Sequence, residues 1–309
     1  MTTLIYSHPA CCDHDPGLGH PESAARLEAI RAALKGPEFA NLEWRDAPAA
    51  ERGQIARIHP ERYIDRVFHA IPEAGYAQLG IDTFVSPGSW EAALRAAGAV
   101  CAAVDAVACG DADNAFCMVR PPGHHAEREN AMGFCIFNNV AIGALQAREV
   151  HHMSRVAVVD FDVHHGNGTQ AVFWEDPDLF YASVHQAPLY PGTGPARERG
   201  RCNNIINVPL APMAGSLEFR RQIGERILPS LAKFEPHFIL ISAGFDGHES
   251  DPLADMRLHE DDYAWVTMEL LAIARHASRG RLVSTLEGGY DLRALGASAA
   301  AHVSALVNG

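Results

Sequence analysis

The sequence predicts an α/β fold, a central parallel β-sheet flanked by helices on both faces, in a single domain covering residues 1–309. Three observations lead there. Short apolar runs rich in Val, Ile and Phe alternate with longer segments of helical spacing. No internal repeat, low-complexity tract or linker interrupts the alternation. Hydrophobic residues make up 48% and charged residues 20% of the chain, enough for one large core and too apolar for disorder. Parallel neighbours need crossover connections, and the crossover helices cover the sheet.

In chain order, strands are expected at residues 115–119, 155–161, 179–184, 237–242 and 281–286. Each is a short apolar run of the kind buried on both faces. Helices are expected at 90–109, 137–149, 216–232, 260–278 and 292–307, all segments of ten residues or more. In open parallel sheets ligands collect beyond the carboxyl ends of the strands. That is where this chain keeps its reactive residues: AFCMV is followed by RPPGHHAE, RVAVVDF by DVHHGNG, FILIS by AGFDGH and RLVST by LEGGYD. Four Gly-containing loops carrying His, Asp or Tyr are difficult to explain as packing alone.

The net charge of -13, with no basic stripe, excludes a nucleic-acid backbone as partner and favours cationic or amine-bearing molecules. Seven cysteines without a C-x-x-C pair suit a reducing compartment. The N-terminus lacks the basic and apolar pattern of a leader, and the Ala/Val-rich stretch at 92–109 is cut by Arg95 and Asp105. A cytoplasmic protein without membrane contact is expected, free to form a homo-oligomer.

The segment DFDVHHGNG spans residues 160–168. If its strand stays extended, Asp160, Asp162 and His164 project to one face and Phe161, Val163 and His165 to the other. Two carboxylates and an imidazole at the end of a buried strand would repel or stay unsatisfied without a cation. Asp246, at the end of ILISAGFD, supplies a third ligand. Asp162, His164 and Asp246 then form a divalent-metal set that leaves positions open for water and substrate, as catalytic zinc sites do. Its oxygen-rich composition also accepts Fe2+, Co2+ or Mn2+.

His124 and His125 follow Pro121, Pro122 and Gly123, which shape an irregular approach to the site. Two imidazoles near a metal provide a base for water and an acid for the leaving amine. Each needs a partner on its other nitrogen, and Asp160 and Asn167 are candidates. Tyr290, after the glycines of LEGGY, can donate its hydroxyl to a carbonyl oxygen as charge develops.

In this order, RPPGHHAE, GFCIFNN, DFDVHHGNG, YPGTG, SAGFD, DPL and EGGYD resemble the histone deacetylase family, specifically its class II and bacterial amidohydrolase-like branch. The resemblance runs from GHPES near residue 19 to about residue 293. It implies the arginase/deacetylase fold and zinc-dependent hydrolysis of acetyl-lysine or a similar small acetylated amine. By carry-over, Asp162, His164 and Asp246 are the zinc ligands and Tyr290 polarises the carbonyl. His125 is the general base, backed by Asn167 where class I members carry Asp. His124, paired with Asp160, is the electrostatic or acid member.

Gly133 and Phe134 are implied on one wall of an acyl-lysine tunnel, with Tyr190 opposite at a position where Phe is commoner. Arg26, in HPESAAR, resembles the arginine of an internal acetate-release channel. A structural potassium ion is implied at Ser183 and Asp162 with the backbone carbonyls of Asp160, His164 and Val184. Leu253 stands where polyamine-selective relatives carry Glu, which favours lysine over an acetylpolyamine. Two other classes fit less well. A two-metal ureohydrolase would need paired acids where this chain has Gly244-Phe245-Asp246-Gly247, and a silent acyl-lysine reader would lose a ligand, a histidine or Tyr290.

Overall fold

The five predicted runs form five contiguous strands in the middle of one sheet. The computed structural model describes residues 1–309. Its sheet has eight strands in the order β2-β1-β5-β10-β9-β6-β7-β8, and every pairing in it is parallel. The central five are β5 (Asn114–Cys117), β10 (Leu282–Leu286), β9 (Phe238–Ala243), β6 (Val156–Asp160) and β7 (Leu179–Gln186), whose residues are all buried. Burial on both faces is why they read as continuous apolar runs.

The three strands not foreseen are β1 (Thr3–Ser7), β2 (Glu43–Asp46) and β8 (Ile205–Leu210). β2 is a mostly exposed edge with the sequence EWRD, so no core-facing pattern marks it. β8 is the opposite edge and carries Pro209, which cannot donate to a ladder and is tolerated where no second neighbour needs that N–H. A small antiparallel pair, β3 (Ala77–Gln78) with β4 (Phe84–Val85), lies outside the sheet.

Helices cover both faces. Tyr6 and Cys117 are register partners on β1 and β5, and the Tyr6 hydroxyl donates to the Ala102 carbonyl of α4 (Ser89–Cys109) at 3.3 Å. Phe116, of opposite parity, meets His302 of α10 (Leu292–Asn308) with ring centroids 5.4 Å apart. α5 (Asn139–Glu149) packs beside α4; α1 (Ala25–Ala33) and α9 (Glu260–Ala277) pack beside α10. Three further helices are α2 (Arg52–Ala56), α3 (Glu61–Ala70) and α6 (Asn167–Phe173). α4 is long and apolar enough to cross a membrane, yet 67% of its most apolar window is buried inside the protein, as a core helix would be.

The helix expected at 216–232 is divided into α7 (Ser216–Gln222), a π-helical turn (Ile223–Ile227) and α8 (Leu228–Phe234). Pro229 explains the break: it lacks an N–H, and its ring would clash with the carbonyl one α-turn earlier, which the wider turn relieves.

Candidate active site

The central strands each deliver one part of the site at their carboxyl ends. β6 ends at Asp160 and the backbone then bends, so the extended run expected to continue through His164 stops there. The bend still separates the side chains. Asp162 and His164 join Asp246, from the loop after β9, in a cluster whose donor atoms lie within 4.8 Å of one another. His164 Nδ1 is 3.1 Å from Asp162 Oδ1 and 3.0 Å from Asp246 Oδ2. His165 turns away to Thr193 and Gln170.

Backbone donors orient the two carboxylates. Asp162 accepts from the N–H of His164 at 2.9 Å and of Gly288 at 2.7 Å; Asp246 accepts from the Val163 N–H at 2.9 Å. A side chain at Gly288 would collide with Asp246 and approach Asp162 within 2.7 Å, so only glycine lets the loop after β10 close on the cluster. Burial alone would lower the His164 pKa, but its hydrogen bonds to Asp162 and Asp246 push it up to about 10. Two buried carboxylates with an imidazole between them thus call for positive charge, and this donor set fits a divalent metal.

The loop after β5 brings His124 and His125 alongside, ring centroids 4.0 Å apart. Both are buried. His124 Nδ1 faces Asp160 Oδ2 at 3.0 Å, and that carboxylate also accepts from the Tyr181 hydroxyl at 3.0 Å. His125 Nδ1 faces Asn167 Oδ1 at 2.9 Å, at the start of α6. The partner assignment expected for each histidine is therefore the geometry present. The loop backbone is tied by Glu287, whose carboxylate accepts from Gly123 N at 2.7 Å and His124 N at 3.1 Å.

His125, His164 and Tyr290 line one cavity of about 250 Å3, walled by Gly133, Phe134, Leu189, Tyr190 and Leu253 with Asp82 among the lining residues. Gly133 has φ 57°, and a Cβ there would collide with the His125 ring. Phe134 follows with φ 66°, a conformation costly for a bulky residue and typical of functional clamps. The Tyr190 ring stands edge-on to His125 at 5.1 Å. Two larger cavities, about 720 and 910 Å3, are lined by residues near the amino ends of strands, such as Arg155, His237 and Arg281, far from these groups in the fold.

Arg26, expected at an internal channel rather than in the tunnel wall, does not line the cavity. It is fully buried behind Tyr290, its guanidinium carbon 5.1 Å from that ring's centroid, and it donates to the Gly289 carbonyl at 2.7 Å and to the Glu287 carbonyl. Ser183, on β7 opposite Asp160, is buried with its hydroxyl 2.9 Å from His185 Nδ1. Sequence reasoning passed over Glu22 and Arg120, which form a buried ion pair that Arg26 joins at 3.1 Å. It also passed over Glu287, Asp251 and Asp82. Four of these stand inside conspicuous segments (HPES, RPPG, LEGGY and DPL), but Asp82 sits in no motif and carries no local signal.

In class, this is an amidohydrolase layout with one metal position at the strand ends of a parallel sheet. The histone deacetylase domain model matches residues 20–306, and the chain belongs to that family. It is 42% identical to a histone deacetylase-like amidohydrolase of Pseudomonas aeruginosa, over 88% of this chain and 73% of the relative. It is 35% identical to a probable deacetylase of Archaeoglobus fulgidus, over 94% of this chain and 82% of the relative. Among solved structures it matches the HD domain of HDA15 with a TM-score of 0.94 and 32% identity, covering 99% of this chain and 89% of that one.

Proposed function

We propose that this protein is a zinc-dependent deacetylase that hydrolyses the amide of acetyl-lysine, or of a closely related acylated amine, to free amine and acetate. One observation carries the reading: a metal donor (His164), an imidazole paired with a neutral amide (His125) and a phenol (Tyr290) open onto the same narrow cavity. Asp162, His164 and Asp246 would hold the zinc, with Fe2+ or Co2+ as substitutes. When bound, the metal supplies Lewis acidity and acidifies water. The names of the relatives, deacetylase and amidohydrolase, support the reaction class.

The remaining steps fall to this chain's own residues. His125 takes the proton of the attacking water at Nε2, because its Nδ1 is engaged by Asn167. Tyr290 donates its hydroxyl to the carbonyl oxygen as negative charge grows there. His124, held by Asp160, stabilises that charge and serves the departing amine. Phe134, Leu189, Tyr190 and Leu253 give the aliphatic stem an apolar passage that excludes water. Leu253, rather than a carboxylate, favours a lysine side chain over an acetylpolyamine.

The proposal includes a structural potassium ion held by Asp162 and Ser183 with backbone carbonyls of Asp160, His164 and Val184. Its support is a surplus of buried acid, since Asp160, Asp162, Asp246 and Glu287 crowd two imidazoles, His124 and His164. A cytoplasmic setting is in keeping with seven free cysteines.

The decisive experiment is Tyr290→Phe assayed with acetyl-lysine peptides beside acetylpolyamines. The expected loss is roughly a hundredfold or more in kcat with little change in KM, as for removal of an oxyanion donor. Equal losses in binding and turnover would remove Tyr290 from the assigned role, and faster turnover of the polyamines would reassign the substrate.

A further inference from the structure

Tyr290 follows two glycines, Gly288 and Gly289, the second with φ 121°. A hydroxyl that must meet a carbonyl oxygen within a few tenths of an ångström therefore hangs on the most permissive backbone in the site. Something has to remove that freedom. Arg26 holds the carbonyls of this loop from behind, donating to Gly289 and Glu287.

Asp162 holds the Gly288 N–H, and beyond the two glycines the N–H side of the loop is held by a second buried carboxylate, Asp251, on the loop after β9 and only 6% exposed. Its Oδ2 accepts from the Tyr290 N–H at 2.7 Å and from the Asp291 N–H at 3.3 Å. Its Oδ1 accepts from the Leu253 N–H at 3.0 Å, and its own N–H donates to the His248 carbonyl at 2.9 Å. Asp291 in turn caps α10, accepting from Ala294 N at 2.8 Å. The cavity wall, the residue bearing the phenol and the start of a core helix thus converge on one side chain. Burying a carboxylate is costly, and three N–H donors are what make this one tolerable.

We propose that Asp251 is the positioning residue for Tyr290, fixing the phenol against the carbonyl oxygen by locking the backbone of the loop after the two glycines and tying it to the Leu253 wall. The inference rests on the catalytic reading of Tyr290 given above. It assigns Asp251 no contact with substrate or metal.

A double-mutant cycle on the zinc-loaded full chain, with an acetyl-lysine peptide, tests it. Asp251→Ala in the Tyr290 background should lower kcat by about ten- to a hundredfold, the effect of a misplaced catalytic group. In the Tyr290→Phe background the same change should lower kcat by less than about twofold, because the group it positions is already gone. Asp251→Asn, which keeps one acceptor oxygen and the side-chain shape, should recover part of the loss and carries the cycle should the alanine variant not fold. Amide hydrogen exchange gives a readout independent of turnover: the 287–291 segment should exchange about tenfold faster or more in the variant, with 160–168 unchanged. Equal kcat losses in both backgrounds, or faster exchange of both segments, would overturn the positioning role while leaving Tyr290 in place. Full activity of Tyr290→Phe alone would instead sink the catalytic reading and this inference with it.

Discussion

His124 and His125 are chain neighbours with ring centroids 4.0 Å apart, both buried, and they behave as opposites. Burial lowers the pKa of each, but His124 faces the carboxylates of Asp160 and Asp162, which push it up to about 10. His125 has no carboxylate on its Nδ1; burial and repulsion from His124 and His164 hold its pKa well below the ordinary histidine value. Desolvation is common to both rings, so the charge of the group behind each ring decides its protonation. One ring is set up to keep a proton and the other to take one. An Asp at 160 and an Asn at 167 thus give two identical side chains opposite protonation preferences, as the proposed acid and base roles require.

The largest expected effect breaks the comparison outright. His125→Ala should lower kcat by about a thousandfold or more while metal content stays full, and His124→Ala should cost less, about a hundredfold. Steady-state kinetics with metal analysis of each variant checks this. If His124→Ala is the more damaging, the roles are reversed; if metal is lost from His125→Ala, that residue is a ligand.

Exchanging the partners should sharpen the comparison with a smaller effect. Asn167→Asp puts a carboxylate behind His125, favours its imidazolium and raises its pKa. The base is then protonated up to a higher pH, so the acid limb of kcat/KM should move up by about one pH unit or more. Asp160→Asn does the converse to His124, moving the alkaline limb to lower pH. A raised folded pKa also fixes the sign for stability. In metal-free protein the His124–Asp160 pair stabilises fully below the unfolded histidine value of about 6.5, and that contribution fades as pH rises towards about 10. An acid limb unmoved by Asn167→Asp would mean that another group sets it.

The same logic explains what could be read from the sequence. The five central strands were legible because burial on both faces forces unbroken apolar runs, whereas β2 shows only EWRD at an exposed edge and β8 is broken by Pro209. The Asp162–His164–Asp246 cluster and both histidines were legible as neighbours because they lie within a few residues of those strands' ends. Asp82 was not, because it reaches the cavity from a short excursion outside the sheet, where it accepts from Gly133 N at 2.9 Å. Asp251 stood in the segment DPL, but three backbone N–H groups from two separate loops give it meaning only once the chain is folded. Arg26 stands out in the segment HPESAAR, but its surroundings do not. A helical arginine reads as solvent-facing or ligand-facing, and nothing local says that loop carbonyls enclose it.

The smallest expected effect tests whether the partners behind the rings are the whole explanation of the asymmetry. Tyr190 stands edge-on to His125 at 5.1 Å, while burial and the neighbouring Asp82 carboxylate raise the pKa of its hydroxyl. If Asn167 and burial alone keep His125 neutral, Tyr190→Phe preserves the ring that excludes water and removes only a polar group facing Asp82. kcat/KM should then change by less than about threefold, and the acid limb should stay within about half a pH unit of its place. A larger move would show that the Tyr190–Asp82 contact reaches His125 through the cavity wall. The base would then be tuned from the rim of the site as well as from Asn167 behind it.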